Sequence, residues 1–408
     1  MSEPPVRVCY VISHFHPFAS GAERQALAQG VELVRRGHSA HVVTQAIRGL
    51  PRDEDLYGVR VHRWVEPIRL GPLFAVSFVA GVIRALRRLR AEYDLIHTHQ
   101  GLWEAISTGL GRGVLGESPI LVQPASSGYY GEAEELARTK GFPLLRRAIL
   151  RNRAFAAISA DIERQWLALG VSPGRMVRMA SGVDAGHFHP GGVVDESGLP
   201  PRPRVIFTGR IHPQKNLGVL LEAWPAVTRR TDASLILVGQ GPERDRLAER
   251  ARTLGVADRV HFLGEVDDPA VLLRAADAFV LPSVAEGMSN SLLEGMATAL
   301  PCLASAIGGN TDLLQDGHDG LLVPPSDPSA WSSALLQVLE DPSFARSLGA
   351  AARRRIEAEF SLTVVVDRYL ALYRRMLAGT WPDEGSRQGT AGRAASSPPS
   401  EGSPGEVG

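Results

Sequence analysis

The sequence predicts an α/β protein built from two doubly wound parallel sheets, one in each half of the chain. Two observations lead to this fold class. Short apolar segments alternate with longer amphipathic stretches in both halves, and a segment rich in Gly and Pro interrupts the alternation near the middle. Such alternation is typical of β–α–β units, in which helices connect parallel strands. Two domains of this kind leave a cleft between them, which is a favoured place for a ligand.

The first half of the chain contains the first of these series. The predicted helices cover residues 22–36, 74–91 and 132–150, and the predicted strands cover residues 6–12, 40–44, 59–63, 95–97, 120–122 and 155–158. Because helices separate several of the strands, we expect one parallel sheet with helices on both faces. We assign residues 1–185 to this N-terminal domain and the Gly- and Pro-rich residues 186–203 to a linker.

A second series follows the linker and defines a C-terminal domain at residues 204–360. Its predicted strands cover residues 205–208, 234–238, 260–263, 278–281, 301–304 and 320–323. Residues 361–378 are predicted to form one more helix. Residues 379–408 are rich in Gly, Ser, Pro and Ala, so we expect a disordered tail with too little apolar surface for a packed core.

The composition is that of an ordinary globular protein without an overall charge. Of the 408 residues, 44 are Lys or Arg and 44 are Asp or Glu, which gives no electrostatic argument for a nucleic-acid partner. Cys9 and Cys302 lie in apolar strands of different halves, so we expect buried thiols and no disulfide. The first residues carry neither a basic segment nor a small-residue cleavage site, so we expect a cytoplasmic protein.

An uncharged segment at residues 71–83 is followed by Arg84, Arg87, Arg88 and Arg90. The segment is shorter than the ~20 apolar residues that cross a bilayer. It is either a helix that packs on the core of the first domain or a peripheral contact with the inner face of an anionic membrane.

Residues 280–301 read as a buried strand, a tight loop and a helix. Glu286 lies in the loop, and Glu294 lies in the opening turns of the helix. Ser289 or Asn290 is a natural N-cap for this helix, whose first amides then point into the loop and favour anions. Bare amides beside a carboxylate suit a ligand that carries both phosphates and hydroxyls, such as a nucleotide sugar.

A second motif follows the first strand of the C-terminal domain. Residues 208–216 open a helix and include Gly209, Arg210 and Lys215. The Arg210 guanidinium offers a planar fork of donors and Lys215 offers a point charge, and both suit a diphosphate. The two motifs follow strands of one sheet, so we expect them to face each other across its carboxyl edge.

Together these motifs resemble the signature of the retaining glycosyltransferases of family 4. Seven residues separate Glu286 from Glu294, and Gly287 and Asn290 lie between them in the family's pattern. The resemblance extends over residues 6–377. It implies the GT-B fold, in which two tandem Rossmann-like domains enclose a cleft. It also implies that a sugar moves from a nucleotide-diphosphate sugar, the co-substrate, to an acceptor with retention, without a metal or another cofactor.

The resemblance assigns roles to individual residues. Arg210 and Lys215 neutralise the leaving diphosphate and Glu286 binds hydroxyls of the donor sugar, so these three are the candidate catalytic residues. Glu294 accepts a hydrogen bond from the nucleotide ribose. The remaining candidate donor-binding residues are Gly21, Gly209, Gly287, Met288, Ser289 and Asn290.

The acceptor, a glycan, a lipid-linked sugar or a small molecule, is expected to bind the first domain. Residues 20–24 resemble the family's Gly-Gly-Ala-Glu-Arg loop, although Ser20 replaces the first Gly and reduces the backbone freedom there. Many relatives carry a His after the fifth strand, where this chain has Gln123 followed by a Ser-Gly-x-x-Gly-Glu pattern that a subset of relatives shares. The candidate acceptor-side residues are His14, His99, Ser127 and Gly128.

Two patterns could point to other chemistry. Four His residues follow two strands near the expected ligand site, but no matched carboxylate or thiolate set accompanies them, so we expect no metal site. The pattern Gly-Gln-Gly at residues 239–241 is similar to a dinucleotide fingerprint, but Arg244 occupies its third Gly position. A helix that begins at Pro242 explains this pattern without a nicotinamide cofactor.

Two rival functions are open at this point. One is a sugar-nucleotide epimerase or hydrolase on the same two-domain scaffold, which needs no acceptor. The other is a non-catalytic scaffold that binds a nucleotide sugar. Ser20 and the missing His favour the scaffold, whereas the complete set of Glu and cationic residues in the two motifs opposes it.

Overall fold

The computed structural model of the chain describes residues 4–18, 20–127, 131–139, 141–192, 194 and 196–381. Gly128, one of the candidate acceptor-side residues, and residues 382–408 of the predicted tail lie outside the described residues. Within that part of the chain, no helix is long and apolar enough to span a membrane.

The first sheet is parallel except at one edge. Its strands are β1 (Arg7–Val11), β2 (Ser39–Gln45), β3 (Asp53–Leu56), β4 (Val59–Val65), β5 (Leu95–His99), β6 (Ile120–Gln123), β7 (Ala154–Ala157) and β8 (Met176–Arg178). Over the described residues the strand order is β3-β4-β2-β1-β5-β6-β7-β8. The edge strand β3 pairs antiparallel with β4, which differs from the all-parallel sheet that the sequence predicted.

The helices of this domain lie between the strands. They are α1 (Gly21–Arg35), α2 (Leu73–Arg88), α3 (Trp103–Gly111), α4 (Glu132–Arg138), α5 (Phe142–Ile149) and α6 (Ala160–Ala168). The single helix predicted at residues 132–150 is therefore wrong. Thr139 has an extended backbone after α4, and Gly141 has a left-handed φ of 84° before α5. The first helix therefore ends before Thr139, and a separate helix begins after Gly141.

The second sheet is parallel throughout. Its strands are β9 (Arg204–Thr208), β10 (Ser234–Val238), β11 (Val260–Gly264), β12 (Ala278–Leu281), β13 (Cys302–Ser305) and β14 (Leu321–Val323), in the order β11-β10-β9-β12-β13-β14. The order reverses between β9 and β12, and ligands of doubly wound sheets bind at such a point. The helices are α7 (Gly218–Thr228), α8 (Arg244–Thr253), α9 (Ala270–Arg274), α10 (Asn290–Ala297), α11 (Gly308–Leu313), α12 (Pro328–Glu340), α13 (Pro342–Arg355) and α14 (Leu362–Leu377).

Helix α14 returns to the first domain. The hydroxyl of Tyr373 lies 2.7 Å from Nδ1 of His97, and the Tyr369 hydroxyl donates to Oε1 of Gln123 at 2.5 Å. Arg36 donates to the Thr363 carbonyl at 2.9 Å. These contacts tie the end of the chain to the first sheet, so the two domains are connected both by the linker and by this helix.

Candidate active site in the interdomain cleft

The two predicted donor motifs lie on the loops that follow β9 and β12, at the reversal point of the second sheet. Gly209 begins the first loop with φ 146°, and its amide donates to the Val238 carbonyl at 3.0 Å. A Cβ on Gly239 would lie 1.9 Å from the Gly209 carbonyl oxygen, and one on Gly241 would lie 2.1 Å from that of Ile211. The glycines of the dinucleotide-like pattern therefore allow two loops to pack closely against each other.

Lys215 and Glu286 are in direct contact. Lys215 Nζ lies 2.5 Å from Glu286 Oε1, and the Ser283 hydroxyl donates to the same oxygen at 2.6 Å. The loop that carries Lys215 is fixed by Gln214, which donates from Nε2 to the Ala285 carbonyl at 2.8 Å. The structure therefore brings together a cation and a carboxylate from the two motifs, both largely buried.

Arg210 differs from Lys215 because it is exposed and has no hydrogen bond or ion pair with any described residue. A guanidinium without a carboxylate partner keeps all of its donors for a ligand. Arg210 and Lys215 belong to the same loop, so one free and one paired cation border the site.

Ser289 is the N-cap of α10, and its hydroxyl accepts from the Leu292 amide at 3.4 Å. Asn290 is the first residue of the helix and reaches the first domain instead. Its side-chain amide donates to the Gly21 carbonyl at 3.0 Å and accepts from Gln25 at 3.1 Å. The N-terminal ends of α1 and α10 therefore meet across the cleft.

Glu294 lies on α10 and is buried against the first domain. Its Oε1 is 3.0 Å from Nη1 of Arg24, a residue of α1. Burial raises the pKa of the Glu294 carboxyl, and the positive charge of Arg24 opposes this rise. Arg24 is thus part of the site, and sequence reasoning missed it because the ion pair joins helices from different domains.

Further contacts close the cleft around the loop after β12. The Ser127 hydroxyl donates to the Glu286 carbonyl at 2.7 Å, and the Ser181 amide lies 3.1 Å from Sδ of Met288. A Cβ on Gly287 would lie only 2.2 Å from the Ala125 carbonyl oxygen. Ser127, a candidate acceptor-side residue, therefore contacts the donor loop directly.

Ser20 fits the position where the resembled family has Gly. Its φ of −74° and ψ of 176° are extended, which any residue adopts, and its hydroxyl donates to the carboxylate of Glu23. The reduced backbone freedom of Ser compared with Gly therefore does not change the backbone conformation at this position.

The two candidate acceptor-side histidines have opposite surroundings. His14 is exposed and lines a cavity of about 480 Å³ in the first domain. His99 is 1% exposed, because β5 continues to this residue between β1 and β6 and the Tyr10 ring covers it at a centroid distance of 4.8 Å. Burial lowers the pKa of His99 to about 3, so its imidazole is neutral. The structure thus places His99 in the interior of the sheet and not at the cleft, where the sequence predicted it.

Two buried carboxyl groups near the acceptor side were not predicted as site residues. Glu132 accepts from the amides of Ala125 and Ser126 at 2.8 and 2.9 Å and so shapes the loop after β6. Glu104 accepts from the Ser13 hydroxyl, and burial raises its pKa to about 7. The only signal in the sequence is the Ser-Gly-x-x-Gly-Glu pattern that ends at Glu132, since Glu104 lies inside an ordinary helical stretch.

Comparisons with known proteins identify relatives for both halves of the chain. The model of the family "Glycosyltransferase Family 4" matches residues 19–187, and the model "Glycosyl transferases group 1" matches residues 202–341. Among curated proteins, the D-inositol 3-phosphate glycosyltransferase 2 of Catenulispora acidiphila is 30% identical over 386 residues, which cover 84% of this chain and 88% of that protein. The N-acetyl-alpha-D-glucosaminyl L-malate synthase of Bacillus anthracis is 25% identical over 377 residues, with 89% and 96% covered.

Solved structures share the fold. The sucrose-phosphate synthase of Thermosynechococcus elongatus has a TM-score of 0.75 and 26% identity, with 92% of this chain and 100% of that chain covered. Anabaena HepE, solved in complex with UDP and glucose, has a TM-score of 0.73 at 19% identity, with 90% and 99% covered. The chain belongs to the family-4 glycosyltransferases, and its two domains have the GT-B fold.

Proposed function

We propose that this protein transfers a glycosyl group from a nucleotide-diphosphate sugar to an acceptor, with retention of configuration at the anomeric carbon and without a metal. The observation that carries the proposal is the meeting of cations, a helix N-terminus and a carboxylate at the reversal point of the second sheet. Lys215 contacts Glu286 there, Arg210 has no partner among the described residues, and α10 begins beside them. Of the two curated relatives named above, the Catenulispora acidiphila protein is a glycosyltransferase by name, which supports the same reaction class.

In the proposed reaction the bond between the anomeric carbon and the diphosphate oxygen breaks. Arg210, Lys215 and the amides after Gly287 stabilise the negative charge that develops on the leaving diphosphate. The acceptor hydroxyl forms the new bond on the same face of the sugar and gives its proton to the departing diphosphate oxygen. Glu286 binds hydroxyls of the donor sugar, and Glu294 accepts from the ribose.

The arrangement of the two carboxylates favours a transferase over a hydrolase. A glycosidase places two carboxyl groups on either side of the bond that breaks. Here Glu286 is held by Lys215 and Ser283, and Glu294 is paired with Arg24 inside the contact between α1 and α10. In this proposal the Arg210 and Lys215 cations neutralise the leaving diphosphate, so the reaction needs no metal ion.

We further propose that the protein is cytoplasmic and contacts the inner face of a membrane. The start of α2 and the preceding loop expose Ile68, Leu70, Leu73 and Val76, and the end of the helix carries several Arg residues. Exposed apolar side chains beside cations suit the interface of an anionic bilayer. Co-sedimentation with anionic vesicles tests this contact, and recovery of all the protein in the supernatant would contradict it.

The experiment that tests the donor site is a thermal-shift panel with uridine, guanosine and adenosine diphosphates and their common sugars. Ligand at about 100 times its dissociation constant stabilises a protein by about 2.7 kcal/mol. We expect one nucleotide class to raise the melting temperature, and we expect Arg210→Ala to reduce that rise. If no nucleotide shifts the transition, the donor role is wrong. Nucleotide binding without transfer to any acceptor favours the non-catalytic scaffold, and donor turnover without an acceptor favours the epimerase or hydrolase.

A further inference from the structure

A cavity of about 480 Å³ lies in the first domain. Its walls come from the loop after β1, the start of α1, the end of β2 and the loops beyond β2 and β4. The lining residues that matter here are His14, Ser20, Glu23, Gln45, Arg48 and Arg69. The volume is at the scale of pockets for small ligands, and nothing in the donor site uses it.

Two arginines that border this cavity have no carboxylate partner in the described part of the chain. Arg48 and Arg69 are exposed, and neither has a hydrogen bond or an ion pair with a described residue. Nearby arginines behave differently: Arg52 pairs with Glu66, and Arg63 lies 2.7 Å from Glu54. Two unpaired guanidinium groups at one cavity suit an oxyanion, because their planar forks match carboxylate and phosphate oxygens.

Gln45 provides a second, independent sign of a ligand. It is 5% exposed and lines the cavity, yet its side-chain amide has no hydrogen bond with the described part of the chain. Buried polar groups are normally paired, so a free amide at a cavity wall is available to a ligand hydroxyl. Glu23 is the one acidic group among the lining residues, and it already accepts from Ser20. The two arginines therefore outweigh the acidic charge of the cavity.

The cavity is connected to the donor site through α1. Ser20 and Glu23 form part of its wall, and Gly21 between them accepts from the Asn290 amide at 3.0 Å. Asn290 is the first residue of α10, which carries the donor motif. A ligand in the cavity therefore lies beside the helix ends that join the two domains.

We propose that this cavity is an anion subsite for the acceptor, in which Arg48 and Arg69 bind a phosphate or carboxylate group and Gln45 binds a hydroxyl of the same molecule. The role as an acceptor subsite rests on the proposed glycosyl transfer, whereas binding of the anion does not. The acceptor is accordingly an acidic, hydroxylated molecule or lipid headgroup, and not a neutral glycan.

The test is titration calorimetry of the full chain with inorganic phosphate and with malonate, at constant ionic strength set by chloride. Wild-type protein should bind at least one of the two, and the choice between them distinguishes a phosphate from a carboxylate acceptor. The double variant R48Q/R69Q should bind that anion at least tenfold more weakly. Arg87→Gln is the matched control, because Arg87 is exposed in the same domain and has no partner among the described residues.

The outcomes separate this proposal from the donor site. Equal anion binding by wild type and R48Q/R69Q, or no binding of either anion by wild type, overturns the subsite. A nucleotide-induced thermal shift that persists in R48Q/R69Q supports two separate sites. Loss of that shift in R48Q/R69Q, with its unliganded melting temperature unchanged, would instead place the nucleotide in the cavity and overturn the acceptor role. If wild type binds the anion but no nucleotide, the donor proposal fails while the anion site stands.

Discussion

Arg210 and Lys215 carry the same charge in one loop, but their surroundings differ. Lys215 is held by Glu286, and the Ser283 hydroxyl binds the same carboxylate oxygen. Arg210 has no such partner among the described residues. We therefore expect that Lys215 contributes a cation in a fixed position, shared with the carboxylate that binds the sugar. In the proposed reaction, Arg210 gives all of its donors to the leaving diphosphate.

Arg210→Ala should therefore lower kcat/KM strongly. Removal of one preorganised donor to a developing negative charge costs about 2–4 kcal/mol in transition-state stabilisation, which corresponds to a decrease of about 30- to 900-fold. The decrease in kcat/KM is measured by steady-state kinetics with the donor that the thermal-shift panel identifies. Arg229→Ala is the control, since Arg229 is an exposed arginine of the same domain without a partner in the described chain. Near-normal turnover of the Arg210 variant would remove this residue from the site.

Glu294→Gln should weaken binding of the nucleotide. The variant keeps the size of the side chain but loses the charge that pairs with Arg24 and the strong acceptor proposed for the ribose. Hydrogen bonds to a charged partner contribute about 1.5–3 kcal/mol, so we expect the dissociation constant to rise by about ten- to a hundredfold. Calorimetry with the nucleoside diphosphate measures this dissociation constant. Pyrophosphate, which lacks the ribose, serves as the control ligand, because the variant should bind it as wild type does. Unchanged affinity would refute the ribose role.

Glu104 offers a prediction about stability and pH. Its pKa in the folded protein is raised by burial to about 7, above the ordinary value of 4.5 that applies in the unfolded chain. Between these two values the folded state holds the proton more tightly, so this group destabilises the fold progressively as the pH rises from about 4.5 to about 7. We expect Glu104→Gln to remove that part of the pH dependence. Melting temperatures of both proteins from pH 4.5 to 8 test it, and parallel curves would contradict it.

At the scale of secondary structure, the sequence predicted the strands that are apolar and buried. β9, β10 and β12 are fully buried in the second sheet, and their apolar composition is sufficient to identify them. β3 has the sequence Asp-Glu-Asp-Leu and is held only at a sheet edge, and β8 has three residues. Composition does not reveal either of these strands, because tertiary pairing decides their conformation.

The same distinction applies to the site. The motifs that carry Arg210 and Glu286 are local in sequence, and the loops that position them could be predicted from strand ends and a helix cap. The contacts from Arg24 to Glu294 and from Ser127 to the Glu286 carbonyl join different domains. No local pattern contains the information that these residues meet. The inward position of His99 likewise depends on how far β5 extends and on the ring of Tyr10.

At the scale of the whole molecule, the two domains meet through backbone as well as side chains. The Asp312 carboxylate accepts from the Ala160 amide at 2.7 Å and lies 3.1 Å from Arg178, which connects α11 to the first domain. On the other side, Gly287 approaches Ala125 so closely that no side chain fits between them. In the proposed reaction, closure of this kind excludes water from the leaving diphosphate and completes the set of groups around it.

Gly287→Ala should therefore keep the two domains apart. The added Cβ would lie 2.2 Å from the backbone oxygen of Ala125, and a backbone atom cannot move aside as a flexible side chain does. We expect kcat/KM to fall about 5- to 160-fold, since steric overlap of this kind costs about 1–3 kcal/mol. We also expect the radius of gyration from small-angle scattering to increase.

The control for this prediction is Gly218→Ala, a change of the same size in the same domain. Among the described residues, a Cβ at Gly218 meets no atom within 4 Å beyond its chain neighbours and its own helix, so the scattering and activity of this variant should match wild type. Because Gly287 contacts the first domain, its variant should also lose stability that the Gly218 variant keeps. A Gly287 variant with wild-type scattering and wild-type turnover would contradict this prediction. It would show that the close approach of Gly287 to Ala125 is not required for the reaction.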